Sequence, residues 1–106
     1  MKKVLHLNLF RKYFDQILNG TKKIEYRDIT PYWSNRLEGK HYDVIKFRNG
    51  YAKVAPEMIV EYKGMAVEPI EKRYAIQLGK VLESKNVLPH PAGPTENVTS
   101  FLLIVW

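Results

Sequence analysis

The sequence predicts a small, mainly β domain of the α+β class, a β-barrel of five to seven strands with one or two helices. Apolar and polar residues alternate over most of the chain, which is typical of half-buried strands. One early segment changes to helical spacing, and residues 101–106 form a continuous apolar run that suits a strand buried on both faces. With 106 residues and no linker-like stretch, we expect a single domain over residues 1–106.

A change of period predicts the first strand and the first helix. Residues 4–9 alternate and place three leucines on one face of a strand. From Phe10 to Leu18 the apolar residues recur at helical spacing instead. Gly20 follows, and a glycine just past the last periodic residue is typical of a helix C-terminal cap. We therefore expect Gly20 to have a structural role.

Residues 23–29 predict the second strand. Ile24 and Tyr26 share one face, which we expect to point into the core, and this leaves the charged side chains on the opposite face. The charged set consists of Lys23, Glu25 and Arg27.

A short second helix is predicted by its two end signals. Thr30 followed by Pro31 is typical of an N-cap and a first helical position. The apolar spacing continues to Leu37, and Gly39 predicts the end of the helix.

Three further strands are predicted before the last part of the chain. Residues 43–48 alternate and are followed by Asn49-Gly50, a strong signal for a tight hairpin. Residues 58–63 form the next strand, which we expect Gly64 to end, and residues 73–81 form the fifth. Residues 86–99 contain three prolines and predict a loop, and residues 101–106 predict a last strand, central in the sheet.

Composition and charge limit the possible functions. The chain has no cysteine, which excludes disulfides, thiolate zinc sites and a cysteine nucleophile, and no segment reaches the length of a membrane span. We therefore expect a cytoplasmic protein without a membrane partner. Residues 1–53 carry 12 basic and five acidic side chains, for a net charge of +7, whereas residues 54–106 carry a net charge of −1. The basic half suggests a polyanionic partner, although a surplus of surface lysine is an alternative.

The segment from Gly20 to Arg27 has the pattern best suited to chemistry. A carboxylate between basic side chains can orient an arginine for a planar anion or accept a hydrogen bond from a base edge. These residues predict a ligand-binding set of Lys22, Glu25 and Arg27. The alternative is a solvated strand face with one ion pair.

The spacing Gly20-x-Lys22-x-x-Glu25-x-Arg27 after an amphipathic helix resembles the signature of the ASCH domain, a small β-barrel of the PUA-like superfamily. The resemblance covers nearly the whole chain. It implies a cleft between the barrel and the first helix that binds RNA, single-stranded nucleic acid or a modified nucleoside. It also implies functional roles for Lys22, Glu25 and Arg27, and a structural role for Gly20.

One branch of that family contains amidohydrolases that act on N4-acetylcytidine with a lysine, a threonine and a glutamate. The lysine matches Lys22, but the position of the threonine is Glu25 here. An amidohydrolase acting on N4-acetylcytidine or another modified nucleoside is therefore an alternative function, with Lys22 and Glu25 as catalytic candidates. A protein-interaction module with an acidic partner is a further alternative.

Other residues could extend the cleft. Lys46 and Arg48 alternate on the third strand and could add to its positive charge, or only face water. Tyr32, beside Pro31, is the residue we expect to stack on a base, and Tyr51 also lies in the basic half. The three histidines show no metal-ligand spacing, so no metal and no cofactor is predicted.

Overall fold

The computed structural model describes residues 2–87. This part of the chain contains five strands and two helices. The elements are β1 Val4–Asn8, α1 Arg11–Leu18, β2 Ile24–Asp28, α2 Pro31–Leu37, β3 Val44–Arg48, β4 Glu57–Glu68 and β5 Arg73–Lys85. Of these described residues, 47% lie in strands and 17% in helices, which confirms the predicted mainly β, α+β class. The strand predicted over residues 101–106, and all but the start of the predicted proline-rich loop, lie outside the described residues.

The strands form one sheet in the order β1-β3-β4-β5-β2. β1 and β3 run parallel, and the other neighbouring pairs are antiparallel. The sheet curls into a half-barrel. This curl brings the two outer strands towards each other, and Arg27 Nη2 on β2 donates a hydrogen bond of 3.1 Å to the carbonyl oxygen of Asn8 on β1.

The core lies between one face of the sheet and the two helices. The leucines of the first strand are buried as the alternation predicts, and they pack with apolar residues of the other strands and with one face of α1. Phe14 and Ile17 supply that helix face. The most completely buried side chains include Phe14, Phe47, Ile45, Met58, Val60 and Ile76.

The predicted ends of both helices are confirmed. Gly20 follows α1 with a φ of +86°, a conformation that glycine adopts without steric cost. The Thr30 hydroxyl accepts a hydrogen bond of 3.2 Å from the Trp33 N–H at the start of α2. Gly39 follows that helix with a φ of +70°. Neither helix within residues 2–87 is long and apolar enough to cross a membrane.

Two turn predictions were wrong. Asn49-Gly50 does not form a two-residue hairpin, because the connection between β3 and β4 spans residues 49–56 and is closed by a 3.0 Å hydrogen bond from the Asn49 N–H to the Pro56 carbonyl. Gly64 does not end a strand, because β4 continues through it to Glu68. Its φ of +120° instead occurs at a shift in the register between β4 and β5, which is the geometry of a β-bulge. The fifth strand likewise extends beyond the predicted residue 81, to Lys85.

The bulge makes Gly64 testable. An added Cβ would meet nothing within 4 Å, so a substitution affects only the backbone conformation. We expect Gly64→Ala to lower the free energy of unfolding by about 1–3 kcal/mol, because alanine disfavours this φ. Lys63→Ala, an exposed neighbour, should change it by less than about 0.5 kcal/mol. Urea denaturation measures both, and equal stability of the two variants would contradict the bulge.

Candidate functional site

A cleft of about 620 Å³ opens where β1 leads into α1, beside the start of β2. We call it the first cleft. Its walls come from the end of β1 and the first turn of α1, from residues 22–27, and from the beginning of the loop after β3. It therefore lies at the carboxyl ends of the parallel strands β1 and β3.

β2 presents Glu25 and Arg27 to this cleft because of how it pairs with β5. Glu25 lies opposite Ile76 and Arg27 opposite Tyr74, and both of these β5 residues are fully buried. The expectation that Ile24 and Tyr26 point into the core was therefore wrong. Both are only half-buried and occupy the other face. The predicted alternation is present, but the face with Glu25 and Arg27 is the inner one, and Lys23 is exposed.

Glu25 is a buried carboxylate held between two cations. Only 5% of the residue is exposed. Arg27 Nη1 donates a hydrogen bond to Glu25 Oε2, and Lys22 Nζ lies 3.4 Å from Glu25 Oε1. A charge is buried at acceptable cost only when it is paired and hydrogen-bonded, and these contacts meet that condition. The three groups together leave one unit of positive charge in the cleft.

Arg27 acts mainly as a brace. Its Nη1 also donates a 2.9 Å hydrogen bond to the Tyr26 carbonyl, and its Nη2 reaches across to Asn8. The guanidinium lies 5.2 Å from the centre of the Trp33 ring. Because its guanidinium contacts Glu25 on β2 and Asn8 on β1, Arg27 links the two strands at the cleft.

Lys22 is the cation that faces the cleft. The Lys22 N–H donates a 3.0 Å hydrogen bond to the carbonyl of Gln16, which fixes the turn after α1. Its ammonium lies 5.6 Å from the centre of the Tyr13 ring and 5.4 Å from that of Tyr26. Burial lowers the pKa of Lys22 below its ordinary value. Because burial disfavours the charged form of Lys22, its ammonium is stabilised by a nearby anionic group.

Aromatic side chains border the mouth of the first cleft. Phe10 is 81% exposed and Tyr51 is 89% exposed, and Tyr13 is also exposed. The sequence interpretation did not assign Phe10 and Tyr13 to a site. The available signal was the position of Tyr13, which lies at the border of the apolar stripe formed by Phe14 and Ile17.

A second cleft of about 440 Å³ adjoins the first. Of the predicted ligand-binding residues, Tyr32, Lys46 and Arg48 line this second cleft, Lys22 and Glu25 line the first, and Arg27 lines both. The structure thus divides the predicted set between two neighbouring clefts.

Lys46 and Arg48 share a carboxylate. Glu57 Oε1 lies 3.3 Å from Lys46 Nζ, and Glu57 Oε2 lies 2.8 Å from Arg48 Nε. Lys85 Nζ is 3.5 Å from Glu57 Oε1. Burial alone would raise the pKa of Glu57, but the positive charges of Lys46, Lys85 and Arg48 hold it below its ordinary value. Three cations around one carboxylate leave this group with excess positive charge.

Thr21 does not supply a nucleophile to the first cleft. Its hydroxyl lies 2.8 Å from Asn19 Oδ1 and 3.2 Å from the Gln16 carbonyl, so it caps the end of α1. Within residues 2–87, no serine, threonine or cysteine lines the first cleft. The same residues contain no group of three or more His, Asp or Glu side chains placed to hold a metal ion.

Comparisons of the chain with protein-family models, curated proteins and solved structures found no match. The resemblance to ASCH domains therefore remains a prediction from the sequence motif.

The buried carboxylate predicts a large effect of a small substitution. Glu25→Gln removes the charge that compensates Lys22 and Arg27, and we expect it to lower the free energy of unfolding by about 3 kcal/mol. Arg11→Gln, which breaks the surface ion pair with Asp15, should cost no more than about 0.5 kcal/mol. Urea denaturation at neutral pH compares the two. A cost for Glu25→Gln as small as that for Arg11→Gln would indicate a solvated strand face instead.

Proposed function

We propose that this chain binds a nucleotide unit of single-stranded nucleic acid, most simply RNA, in the first cleft. The observation that supports this most directly is the ammonium of Lys22 inside a cleft that has exposed aromatic rings at its mouth. Phosphate needs a cation and a base needs a flat apolar surface, and the two occur here together.

Each group of the cleft has a defined part in this proposal. Lys22 neutralises a phosphate oxygen, and Tyr51 or Phe10 stacks on the base, a contact worth about 1–3 kcal/mol for each base. Glu25 Oε1 is turned towards Lys22 and can accept a hydrogen bond from an exocyclic amino group. The net charge of +7 in residues 1–53 attracts the polyanion from a distance.

Two neighbouring lysines provide a matched test of the site. Lys22 lines the first cleft, whereas Lys23 is exposed and lines neither cleft, so Lys22→Ala and Lys23→Ala remove the same charge from adjacent positions. We expect Lys22→Ala to weaken binding of a fluorescent single-stranded RNA about tenfold at low salt, since it removes a charge-assisted contact. Lys23→Ala should weaken it about twofold or less, through the long-range field alone.

Fluorescence anisotropy at several salt concentrations measures these affinities. Binding should weaken steeply with salt, because each neutralised phosphate releases counterions. No binding by the unaltered chain at low salt, or an equal loss in both lysine variants, would contradict the proposed site.

The lowered pKa of Lys22 predicts a pH dependence. As the pH rises towards the ordinary lysine range, Lys22 loses its proton before an exposed lysine does, and affinity for the anion should fall. Lys22→Arg should remove this fall, because a guanidinium keeps its charge. An oligodeoxyadenylate is a suitable probe, since it resists alkaline hydrolysis and its base has no proton to lose in this range.

Deprotonation of Lys22 does not itself destabilise the fold. The folded chain releases the Lys22 proton at lower pH than the unfolded chain does, so this group makes the fold more stable as the pH rises through that interval. A pH-independent affinity for the unaltered chain would contradict a role for the Lys22 ammonium.

Hydrolysis of an acylated nucleoside is the second candidate, and the Lys22–Glu25 pair is the observation in its favour. A buried carboxylate beside a lysine of lowered pKa is an arrangement found at acid–base sites. Water would be the nucleophile, since the lining described above contains no side-chain hydroxyl of serine or threonine. Release of acetate from N4-acetylcytidine by the unaltered chain, abolished by Lys22→Ala, would establish this activity in place of simple binding.

A further inference from the structure

We infer that the ligand site is a continuous tract across both clefts, and that it takes a single-stranded nucleic acid of two or more nucleotides in preference to a mononucleotide. This inference rests on the proposed function of the first cleft. It adds a second subsite, its position and the class of ligand that fills it.

The two clefts adjoin along shared walls. Asn8, Arg27 and Tyr51 line both of them. The volumes of about 620 and 440 Å³ each lie in the range of sites that enclose a small organic molecule, so each cleft has room for a unit of nucleotide size. A ligand that fills the first cleft therefore meets the second without crossing unrelated surface.

The second cleft repeats the combination of groups found in the first. Lys46 and Arg48 line it, while Glu57, which they share with Lys85, lies outside the lining. The second cleft therefore has two cationic side chains in its wall, and the carboxylate that they share is not part of that wall. This arrangement suits a phosphate that links one nucleotide to the next.

Tyr32 provides an aromatic surface in the second cleft. It is 56% exposed, and the Arg36 guanidinium lies 4.1 Å from the centre of its ring. The Trp33 ring meets it edge-on at 4.9 Å. These contacts hold the Tyr32 ring in place and leave much of it accessible, which is what base stacking requires.

The alternation of groups along the tract favours nucleic acid over an acidic protein. The order across the two clefts is Lys22, then the highly exposed Tyr51 at the shared wall, then Lys46 with Tyr32. A single strand alternates phosphates with bases that stack on aromatic rings. An acidic peptide matches the cations but has no need of the exposed rings.

Chain length tests the inference directly. We expect oligoadenylates of four nucleotides to bind about tenfold more tightly than adenosine 5′-monophosphate, through the added stack and phosphate contact. Tyr32→Ala should remove most of that gain and leave the affinity for the mononucleotide unchanged. Lys46→Ala should make the plot of log affinity against log salt less steep for the tetranucleotide, by the amount expected for about one phosphate contact. The deoxyadenylate series compares DNA with RNA.

Ile70→Ala is the matched control, since Ile70 is a large exposed side chain that lines neither cleft. It should affect neither ligand. Competition calorimetry gives the affinities, and urea denaturation of each variant verifies that the fold is retained.

Three results would overturn the inference. Equal affinity for the mononucleotide and the tetranucleotide would leave the first cleft as a single-nucleotide site, so the proposed function would stand without the second subsite. Tighter binding of an oligoglutamate peptide than of the oligonucleotides, lost in Lys46→Ala, would identify an acidic protein partner. Failure of every oligonucleotide and of the mononucleotide to bind at low salt would reject the proposed function as well.

Discussion

The contact on which the site depends is the one that Arg27 makes with both outer strands of the half-barrel. Its guanidinium holds the carboxylate of Glu25 on β2 and the backbone carbonyl of Asn8 on β1. Without Glu25, the arginine would be a half-buried cation lacking its counter-charge. Without Arg27, the carboxylate would be buried beside Lys22 alone. Each group therefore makes the burial of the other possible, and together they set the separation of the two strands that border the first cleft.

This mutual dependence divides the charged motif into two roles. Glu25 and Arg27 neutralise each other, and Arg27 uses its hydrogen bonds within the protein, so this pair shapes the cleft. Lys22 remains as the excess positive charge, and its ammonium is the group that an anion meets. A buried ion pair adds little net stability compared with an apolar pair. Its presence here is better explained by the polar cleft that it creates than by any stabilisation of the sheet.

Features set by neighbouring residues were predictable from the sequence, and features set by distant pairing were not. The leucines of β1, the end of α1 at Gly20 and the cap of α2 at Thr30 follow from spacing and local hydrogen bonding, and the structure has all three. The inner face of β2 follows instead from its pairing with β5, where Glu25 meets Ile76. Because apolar side chains are usually the buried ones, the pattern pointed to the wrong face. The bulge at Gly64 depends in the same way on the register with β5.

Asn8 explains how the cation and the aromatic rim of the first cleft are connected. Its backbone carbonyl accepts the hydrogen bond from Arg27, while its side chain exchanges two hydrogen bonds with Gly50, of 2.9 and 3.0 Å. Gly50 directly precedes Tyr51, so one residue at the end of β1 positions both the charged brace and the exposed ring. The sequence Asn49-Gly50 suggests a tight turn, but in the structure this pair instead fixes the loop after β3 to the end of β1. A ligand that touches both Lys22 and Tyr51 contacts two groups whose positions depend on Asn8. The cleft therefore has a defined spacing between its charge and its aromatic ring, even though its walls come from separate parts of the chain.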